Sequence, residues 1–335
     1  METLSKIHNS NLVKWAEDKP EVVVLSADLT GSTEISGFKE AYPERFFSMG
    51  VAEQNMMSFA AGMAREGYIP MVHTFAVFIY RQSLNQIHSS IAYSNLPVKL
   101  FGFLPGITTP GGATHQAIDD IAVMRSIPNM TVFETGDATE VETILDSVRD
   151  TEGPVYIRML RGEIPRLFDK NEPFKPNSAR VLSRGDDITL ITSGICTEEA
   201  LRASYVLKSR GVSIQHLHVS THKPFTDPKV AEAVSKPKYG VITLENHLTT
   251  GGLGSEVAEM MAEHGAGKKL IRMGLKDTYA HGGSRAYLMK YYGLDSMALI
   301  RTIEKTIDSN LDIREEELEE ARIEAVHSTA KEEAL

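Results

Sequence analysis

The sequence is poor in cysteine, with Cys196 as its single thiol, and it contains no long apolar run. One cysteine cannot form an internal disulfide bond, and a lone thiol without a nearby histidine or acid partner is more often inert than catalytic. A membrane-spanning helix needs roughly 18 apolar residues, so no membrane segment is expected. The polar start, residues 1–10, lacks the apolar core of a signal peptide, which predicts a cytoplasmic chain.

Clusters of basic residues are also missing. The chain has 35 lysine and arginine residues against 45 aspartate and glutamate residues, which gives a formal net charge of −10. Neutralising the phosphates of a nucleic acid requires clustered cations, so nucleic acid is not expected as a partner. Small anionic substrates stay compatible with this charge, because they need only one or two local cations.

The composition is that of a globular protein, with 42% hydrophobic and 24% charged residues. At about 100–200 residues per domain, the length of 335 residues predicts two domains. Strand-like and helix-like segments alternate along the chain, and this alternation predicts two doubly wound α/β domains. The predicted boundaries are 1–175 for the first domain, 188–310 for the second and 311–335 for an acidic tail.

In the first domain, residues 22–25 form a β-branched run of the kind that parallel sheets bury, and residues 52–65 have helical apolar spacing. Further strands are predicted at 98–103, 131–133 and 155–160, and further helices at 117–126 and 138–149. The proline-containing segment 162–187 is the predicted linker. In the second domain, strands are predicted at 188–192, 212–217 and 240–244, and helices at 197–209 and 254–264.

The tail is rich in glutamate, and the spacing of Leu311, Leu318 and Ala325 permits a solvated helix. A run of like charges is most often a solvated extension. We therefore interpret the tail as a solubilising segment rather than a docking element.

Glu53 begins a predicted helix and shares an apolar stripe with Met57, Ala60 and Ala64. A glutamate in a first helical turn often only complements the helix dipole. A carboxyl group on an apolar surface, however, keeps its proton more readily than one in water. This property suits a proton donor to a ring nitrogen.

Two further segments carry candidate site residues. Phe75 and Phe78 are three residues apart, so on a helix they would share a face and could stack on a flat heteroaromatic ring. The Pro-Gly-Gly loop that begins at Pro110 is followed by His115, just before a predicted helix, where an imidazole can be exposed. Taken singly, each of these features is also typical of an ordinary core or loop.

Together, in this order and spacing, the segments resemble the transketolase family. The resemblance covers residues 20–160 most closely and continues more weakly through the second domain. The motifs that share the family's register are Ser26-Ala27-Asp28-Leu29, Gly50-Val51-Ala52-Glu53-Gln54, Thr74-Phe75, Thr114-His115-Gln116 and Ile127-Pro128-Asn129-Met130, then Leu244-Glu245-Asn246-His247 and Gly251-Gly252-Leu253-Gly254-Ser255.

The resemblance implies an enzyme that uses thiamine diphosphate to transfer a two-carbon ketol unit from a ketose to an aldose phosphate. It implies that Glu53 hydrogen-bonds the aminopyrimidine ring of the cofactor and that Phe75 and Phe78 enclose this ring. Asp28 matches an acid near the cofactor. His115 matches a histidine that handles the protons of substrate hydroxyl groups.

The same resemblance implies a substrate site. Ser32 and Arg161 match groups that hold the substrate's phosphate, and a guanidinium is suited to a tetrahedral oxyanion. Two substrate-binding positions depart from the family, because its phosphate-contacting histidine is Phe103 here and its hydroxyl-reading aspartate is Gly111. Neither can hydrogen-bond through its side chain. We therefore expect a donor or acceptor with an altered anionic end or branching, such as a sulfonated ketose or apulose 4-phosphate.

The family holds the diphosphate and Mg²⁺ through a Gly-Asp-Gly segment with a downstream asparagine, and this sequence offers only Gly185-Asp186-Asp187 in the linker. We therefore expect a separate N-terminal, diphosphate-binding subunit of about 250–300 residues that holds Mg²⁺. The expected assembly is an α2β2 heterotetramer. The chain alone is expected to be inactive.

Three alternatives stay open at the level of sequence. Two belong to the same cofactor class, the β subunit of a 2-oxoacid dehydrogenase and a deoxyxylulose-phosphate-synthase-like subunit. The third is a regulatory paralogue without catalysis, against which the joint presence of Glu53 and His115 counts.

Two other patterns resemble binding motifs but are incomplete. His216, His218 and His222 have no cysteine or suitably spaced carboxylate to complete a metal site, so no metal is expected there. The run Gly251-Gly252-Leu253-Gly254 lacks the full dinucleotide-binding motif, which favours simple packing at the start of a helix.

Overall fold

The computed structural model describes residues 2–320, so the part of the acidic tail from 321 to 335, with Ala325, lies outside the described residues. Within these residues no helix has the length and apolar character needed to cross a membrane. The structure has two large sheets and one small sheet.

The strands, in chain order, have the following bounds: β1 Thr3–Ser5, β2 Val22–Ser26, β3 Phe46–Ser48, β4 Ile69–Phe75, β5 Lys99–Phe103, β6 Thr131–Glu134, β7 Val155–Met159, β8 Glu163–Pro165, β9 Arg180–Ser183, β10 Ile188–Thr192, β11 Ile214–His218, β12 Thr221–Lys223, β13 Gly240–Leu248 and β14 Leu270–Leu275.

The α-helices are α1 Ile7–Trp15, α2 Ser36–Ala41, α3 Glu53–Arg65, α4 Ala76–Gln86, α5 Asp120–Ser126, α6 Ala138–Asp150, α7 Cys196–Ser209, α8 Pro228–Ser235, α9 Leu253–Glu263, α10 Arg285–Tyr291, α11 Ser296–Ile307 and α12 Glu315–Glu320. Short 3₁₀ turns lie at Pro43–Arg45 and Gly112–Thr114, and a π-helical turn at Ile87–Ala92 extends α4.

The first sheet has seven strands in the order β12-β6-β7-β5-β4-β2-β3. All neighbours are parallel except β12, which pairs antiparallel with β6 at one edge. Strands β2, β5 and β7 are buried at every position, as expected for parallel strands covered by helices on their faces. This architecture confirms the predicted α/β class.

The second sheet has the order β14-β13-β10-β11-β9, in which only β9 is antiparallel to its neighbour. The prediction of a bare linker over 162–187 is wrong in part, because β8 pairs with β1 and β9 joins this sheet. Strand β12 was not predicted. It follows β11 in the chain, yet it completes the first sheet and so joins the two halves of the molecule.

In α3, the helix that begins with Glu53, the spacing of the apolar residues explains the local fold. Helix α3 buries Met56, Met57, Ala60 and Ala64 along one stripe, which matches the predicted helical spacing. It packs against β4 and α4. The predicted stripe therefore forms the face through which α3 packs on the first domain.

The first part of the acidic tail packs on the protein, whereas the sequence predicted a solvated helix. Leu318 in α12 is only 9% exposed and packs onto the core. Glu317 bonds to Arg210 with an Oε2 to Nη2 distance of 2.6 Å. The described part of the tail is thus docked on the second domain.

Candidate active site

The predicted site residues come from chain segments that follow five neighbouring strands of the first sheet. These strands, β7-β5-β4-β2-β3, stand side by side and run parallel. The carboxyl ends of parallel strands meet at one edge of a sheet, where α/β proteins place their ligands. The residues at this edge are Asp28 and Ser32 after β2, Glu53 after β3, Phe75 at the end of β4 with Phe78 in the helix that follows, Phe103 at the end of β5 with Gly111 and His115 after it, and Arg161 after β7.

The two phenylalanines and His115 form one aromatic cluster. The ring centroids of Phe75 and Phe78 are 5.7 Å apart at an interplanar angle of 29°. His115 meets both rings edge-on, at 6.4 Å from Phe75 and 5.5 Å from Phe78. Phe75 is not in a helix, as the shared-face argument assumed; it ends β4, and Phe78 lies in the first turn of α4. The pairing of the rings is nevertheless as predicted.

Glu53 is the first residue of α3 and is only 8% exposed. Its N-cap residue, Ala52, supplies no side-chain cap. The carboxyl group therefore lies at the positive end of a helix that packs against α4, and its role toward a cofactor stays a prediction.

The residues predicted to hold an anion also come together. Arg161 donates from Nη1 to the main-chain carbonyl of Ser32 over 2.7 Å, across 129 residues of sequence. The neighbouring Gly162 amide donates to Oε1 of Glu34 over 2.7 Å. Asp28 is exposed at the same edge with a φ of 61°, a left-handed conformation that aspartate tolerates better than most residues.

His115 lies on a tight loop between β5 and α5. Its backbone amide donates to the Gly112 carbonyl over 2.9 Å, and Gly112 has a φ of 69°. Oγ1 of Thr114 and Nδ1 of His115 are 2.9 Å apart. A Cβ atom at Gly111 would lie 2.9 Å from Cβ and Cγ of His115, so the imidazole occupies the space that a side chain at position 111 would need.

Phe103 ends β5 with its ring fully buried. It packs against the imidazoles of His8 and His73, at centroid distances of 5.6 and 6.1 Å. Burial lowers the pKa of His8 to about 3 and that of His73 well below its ordinary value, so this layer of aromatic and imidazole rings is uncharged. Any effect of Phe103 on a substrate must therefore come from the shape of the floor rather than from a polar contact, and its role stays a prediction.

A buried charge network that sequence reasoning missed lies directly behind the site. Arg158 of β7 is fully buried and bonds to Asp120 and Glu134, with a 2.9 Å distance from Nε to Oδ2 of Asp120. It also donates to the Asn246 carbonyl of the second domain over 3.0 Å. Burial opposes the charge on Glu134, but Arg158 holds the pKa of that carboxyl well below its usual range. In the sequence, the one sign of this network is the charge of Arg158 within the otherwise uncharged strand β7.

Each of the three histidines considered for metal binding contacts a polar side chain of the protein. His216 pairs with Thr192, and His218 lies 3.2 Å from Oε2 of Glu140. His222 bridges Glu134 and Glu256 at 3.0 Å each. Burial opposes a charge on His222, yet these two carboxylates outweigh it and raise its pKa to about 10. The described residues hold no group of three or more metal-ligating side chains.

The side chain of Glu245 occupies the space beside the glycine-rich turn before α9. Oε1 of Glu245 accepts a hydrogen bond from the Gly254 amide over 2.9 Å, and a Cβ atom at Gly252 would collide with Oε2 of Glu245. Burial raises the pKa of Glu245 to about 8. This arrangement supports the interpretation of the glycines as packing at a helix start.

Cys196, at the start of α7, is fully buried, and burial raises its thiol pKa, in line with an inert thiol.

This α/β edge carries a contacting aromatic pair, a glutamate at a helix start and a histidine on a glycine loop, an arrangement compatible with a cofactor-dependent enzyme. Two family models match: the transketolase pyrimidine-binding domain over residues 2–166 and the transketolase C-terminal domain over residues 177–299. The chain belongs to the transketolase family.

Similar proteins include named subunits. A putative transketolase C-terminal section of Methanocaldococcus jannaschii is 38% identical, over 90% of this chain and 95% of that protein. The 6-deoxy-6-sulfo-D-fructose transketolase subunit SqwH of a Clostridium species is 36% identical, over 87% and 90%. An apulose-4-phosphate transketolase subunit of Actinobacillus succinogenes is 33% identical, over 89% and 96%.

A solved structure is similar over nearly the whole chain. It is a split-gene transketolase, described as an inactive β4 tetramer, with a TM-score of 0.82 and 37% identity over 90% of this chain and 97% of that one. The predicted resemblance to a split transketolase subunit is thereby confirmed.

Proposed function

We propose that this chain is the pyrimidine-binding half of a thiamine-diphosphate-dependent enzyme that transfers a two-carbon ketol unit from a ketose to an aldose phosphate. The observation that carries the proposal is the cluster of Phe75, Phe78 and His115, with centroids within 6.4 Å of one another. A contacting aromatic pair with an imidazole beside it can offer a stacking face to a ring cofactor and a proton acceptor to a hydroxylated substrate.

Thiamine diphosphate, when bound, supplies a carbon nucleophile that takes up and releases the ketol unit. In this proposal Phe75 and Phe78 hold its pyrimidine ring by stacking. Glu53 hydrogen-bonds a ring nitrogen from the start of α3, and Asp28 lies near the cofactor. His115 accepts and returns the proton of a substrate hydroxyl group.

The diphosphate and Mg²⁺ are assigned to a partner subunit. Two findings support this assignment. Two similar proteins bear names that call them transketolase subunits. The similar split-gene chain in its β4 tetramer is described as inactive, which agrees with a need for a second chain. We propose an α2β2 heterotetramer.

The substrate is proposed to differ from ordinary pentose phosphates at its anionic end or in its branching. Arg161 and Ser32 supply an anion-binding corner with a 2.7 Å contact, but Phe103 and Gly111 supply no polar side chain. A site without a hydroxyl-reading group loses discrimination for that hydroxyl. The names of two similar proteins, which specify 6-deoxy-6-sulfo-D-fructose and apulose 4-phosphate, support these two substrates as candidates.

Steady-state kinetics of the reconstituted complex test the substrate proposal. We expect kcat/KM with xylulose 5-phosphate and ribose 5-phosphate to fall orders of magnitude below that with a sulfonated ketose or apulose 4-phosphate. A value at or above about 10⁴ M⁻¹s⁻¹ with the ordinary pair, the low end of usual enzyme efficiency, would overturn it. Failure with every ketose, but activity with a 2-oxoacid, would favour the 2-oxoacid dehydrogenase or deoxyxylulose-phosphate-synthase alternative instead.

A further inference from the structure

Arg81, one turn beyond Phe78 on α4, reaches across to the loop that carries His115. Its Nη1 donates to the Ala113 carbonyl over 2.8 Å, and its Nη2 donates to Oδ1 of Asp119 over 3.0 Å. Ala113 and Asp119 lie on either side of His115 in the chain. The planar guanidinium therefore spans both arms of the loop, which a single point charge cannot do.

Asp119 is itself held in place. The hydroxyl of Tyr80, the residue before Arg81, donates to the same Oδ1 atom. Two consecutive residues of α4 thus hold one carboxylate at the end of the loop. Charged hydrogen bonds of this kind are stronger than neutral ones, and the Arg81 side chain is 29% exposed, so part of their strength is screened by solvent.

The opposite side of the loop is fixed by the second domain. Gln116 is fully buried, and its Nε2 donates to the carbonyl of Thr109, over 3.3 Å, and to the carbonyl of His281, over 3.2 Å. A Cβ atom at Gly282 would lie 2.8 Å from the Pro110 carbonyl, so the two backbones approach closely. The loop therefore contacts the second domain on one side and Arg81 on the other.

We propose that Arg81 is a positioning residue that fixes His115 through the Ala113 carbonyl and Asp119. The inference rests on the proposed function, in which His115 moves a substrate proton. Displacement of a proton-transfer group by about 1 Å can cost on the order of 10²-fold in rate. Arg81 itself touches no reacting atom in this account.

The test uses the reconstituted complex with the variants Arg81→Met, Arg81→Lys and His115→Ala. Arg81→Met should lower kcat by roughly 10- to 100-fold with little change in the affinity for thiamine diphosphate. Arg81→Lys should recover part of the loss. Because Arg81 acts only through His115, Arg81→Met should cause no further loss in the His115→Ala background. A loss of equal size in that background, or no loss in the parent, would overturn the inference.

A control and a second readout keep the two proposals separate. Arg65 at the far end of α3 donates to Ser94 over 3.1 Å and gives the control variant Arg65→Met, which is expected to leave kcat unchanged. Hydrogen–deuterium exchange of the full chain should be faster at residues 109–119 in Arg81→Met than in the parent or the control. Unchanged exchange there contradicts the inference, even if the complex shows no ketol transfer and the proposed function fails.

Discussion

Replacing Arg158 with methionine removes the cation that joins the first sheet to the second domain. The guanidinium makes five hydrogen bonds: two to Asp120, one to Glu134, and one each to the carbonyls of Ala117 and Asn246. Arg158, Asp120 and Glu134 are all within 1% of full burial. The variant would leave two buried carboxyl groups without their cation.

Removal of one partner from a buried ion pair costs about 3–5 kcal/mol, because the remaining charge is left uncompensated. Two residual contacts moderate the loss here, since Tyr156 still donates to Asp120 over 2.6 Å and His222 still contacts Glu134 over 3.0 Å. We therefore expect about 3 kcal/mol from Arg158→Met, within that range. A domain has about 5–15 kcal/mol of stability in total, so the variant should fold but with a much lower urea midpoint.

The assay is a urea titration followed by circular dichroism, with Arg149→Met as the matched control. Within residues 2–320, Arg149 forms an ion pair with the exposed Asp150 and with no other residue, and surface pairs contribute about 0–1 kcal/mol. A loss below about 1 kcal/mol for Arg158→Met, within the range of a surface pair, would refute the claim that this network binds the two halves of the molecule.

The remaining predictions concern the site and the pH dependence of stability. Glu53→Gln should keep the fold and lower turnover of the complex by roughly 10²-fold or more, the scale of a lost positioned proton transfer; a near-parental rate contradicts its assignment. Gly111→Ala should lower kcat by displacing the His115 ring, whereas Gly62→Ala, with no atom within 4 Å of its added Cβ, should not; equal rates would show that the loop adapts. His222 has a folded pKa of about 10 against an ordinary 6.5, so its contribution to stability is complete below pH 6.5 and is lost as pH rises toward 10. The parent should lose more stability than His222→Gln between pH 7 and 10 in thermal melts at a series of pH values, and parallel losses would contradict the ion-pair assignment.

The features that depend on local sequence were predicted well. Helix α3 begins at Glu53 and β10 spans Ile188–Thr192, because apolar periodicity and β-branched runs act within a few residues. The proposed site residues lie at or after the carboxyl ends of parallel strands, as the order of the motifs predicts, and their roles stay predictions. The sequence motifs did not predict the distances and angles between these side chains.

Features set by distant contacts were not predicted. Helix α5 begins at Asp120 rather than at 117, because the preceding loop is held by Gln116 and Gly112 against the second domain. Strand β12 crosses to the first sheet, and no local pattern distinguishes the sheet that a three-residue strand will join. The buried Arg158 contradicts the rule that charged residues are exposed, and its partners lie 24 to 88 residues away in sequence.

The measurement that tests the central claim most directly is ketol transfer by this chain with its diphosphate-binding partner. The purified chain, the purified partner and their mixture would each be assayed with thiamine diphosphate and Mg²⁺ against a panel of ketose donors and aldose phosphate acceptors. The account predicts transfer only by the mixture, and loss of transfer when Glu53 is replaced by glutamine. Transfer by this chain alone, or no transfer by the mixture with any donor, would contradict it.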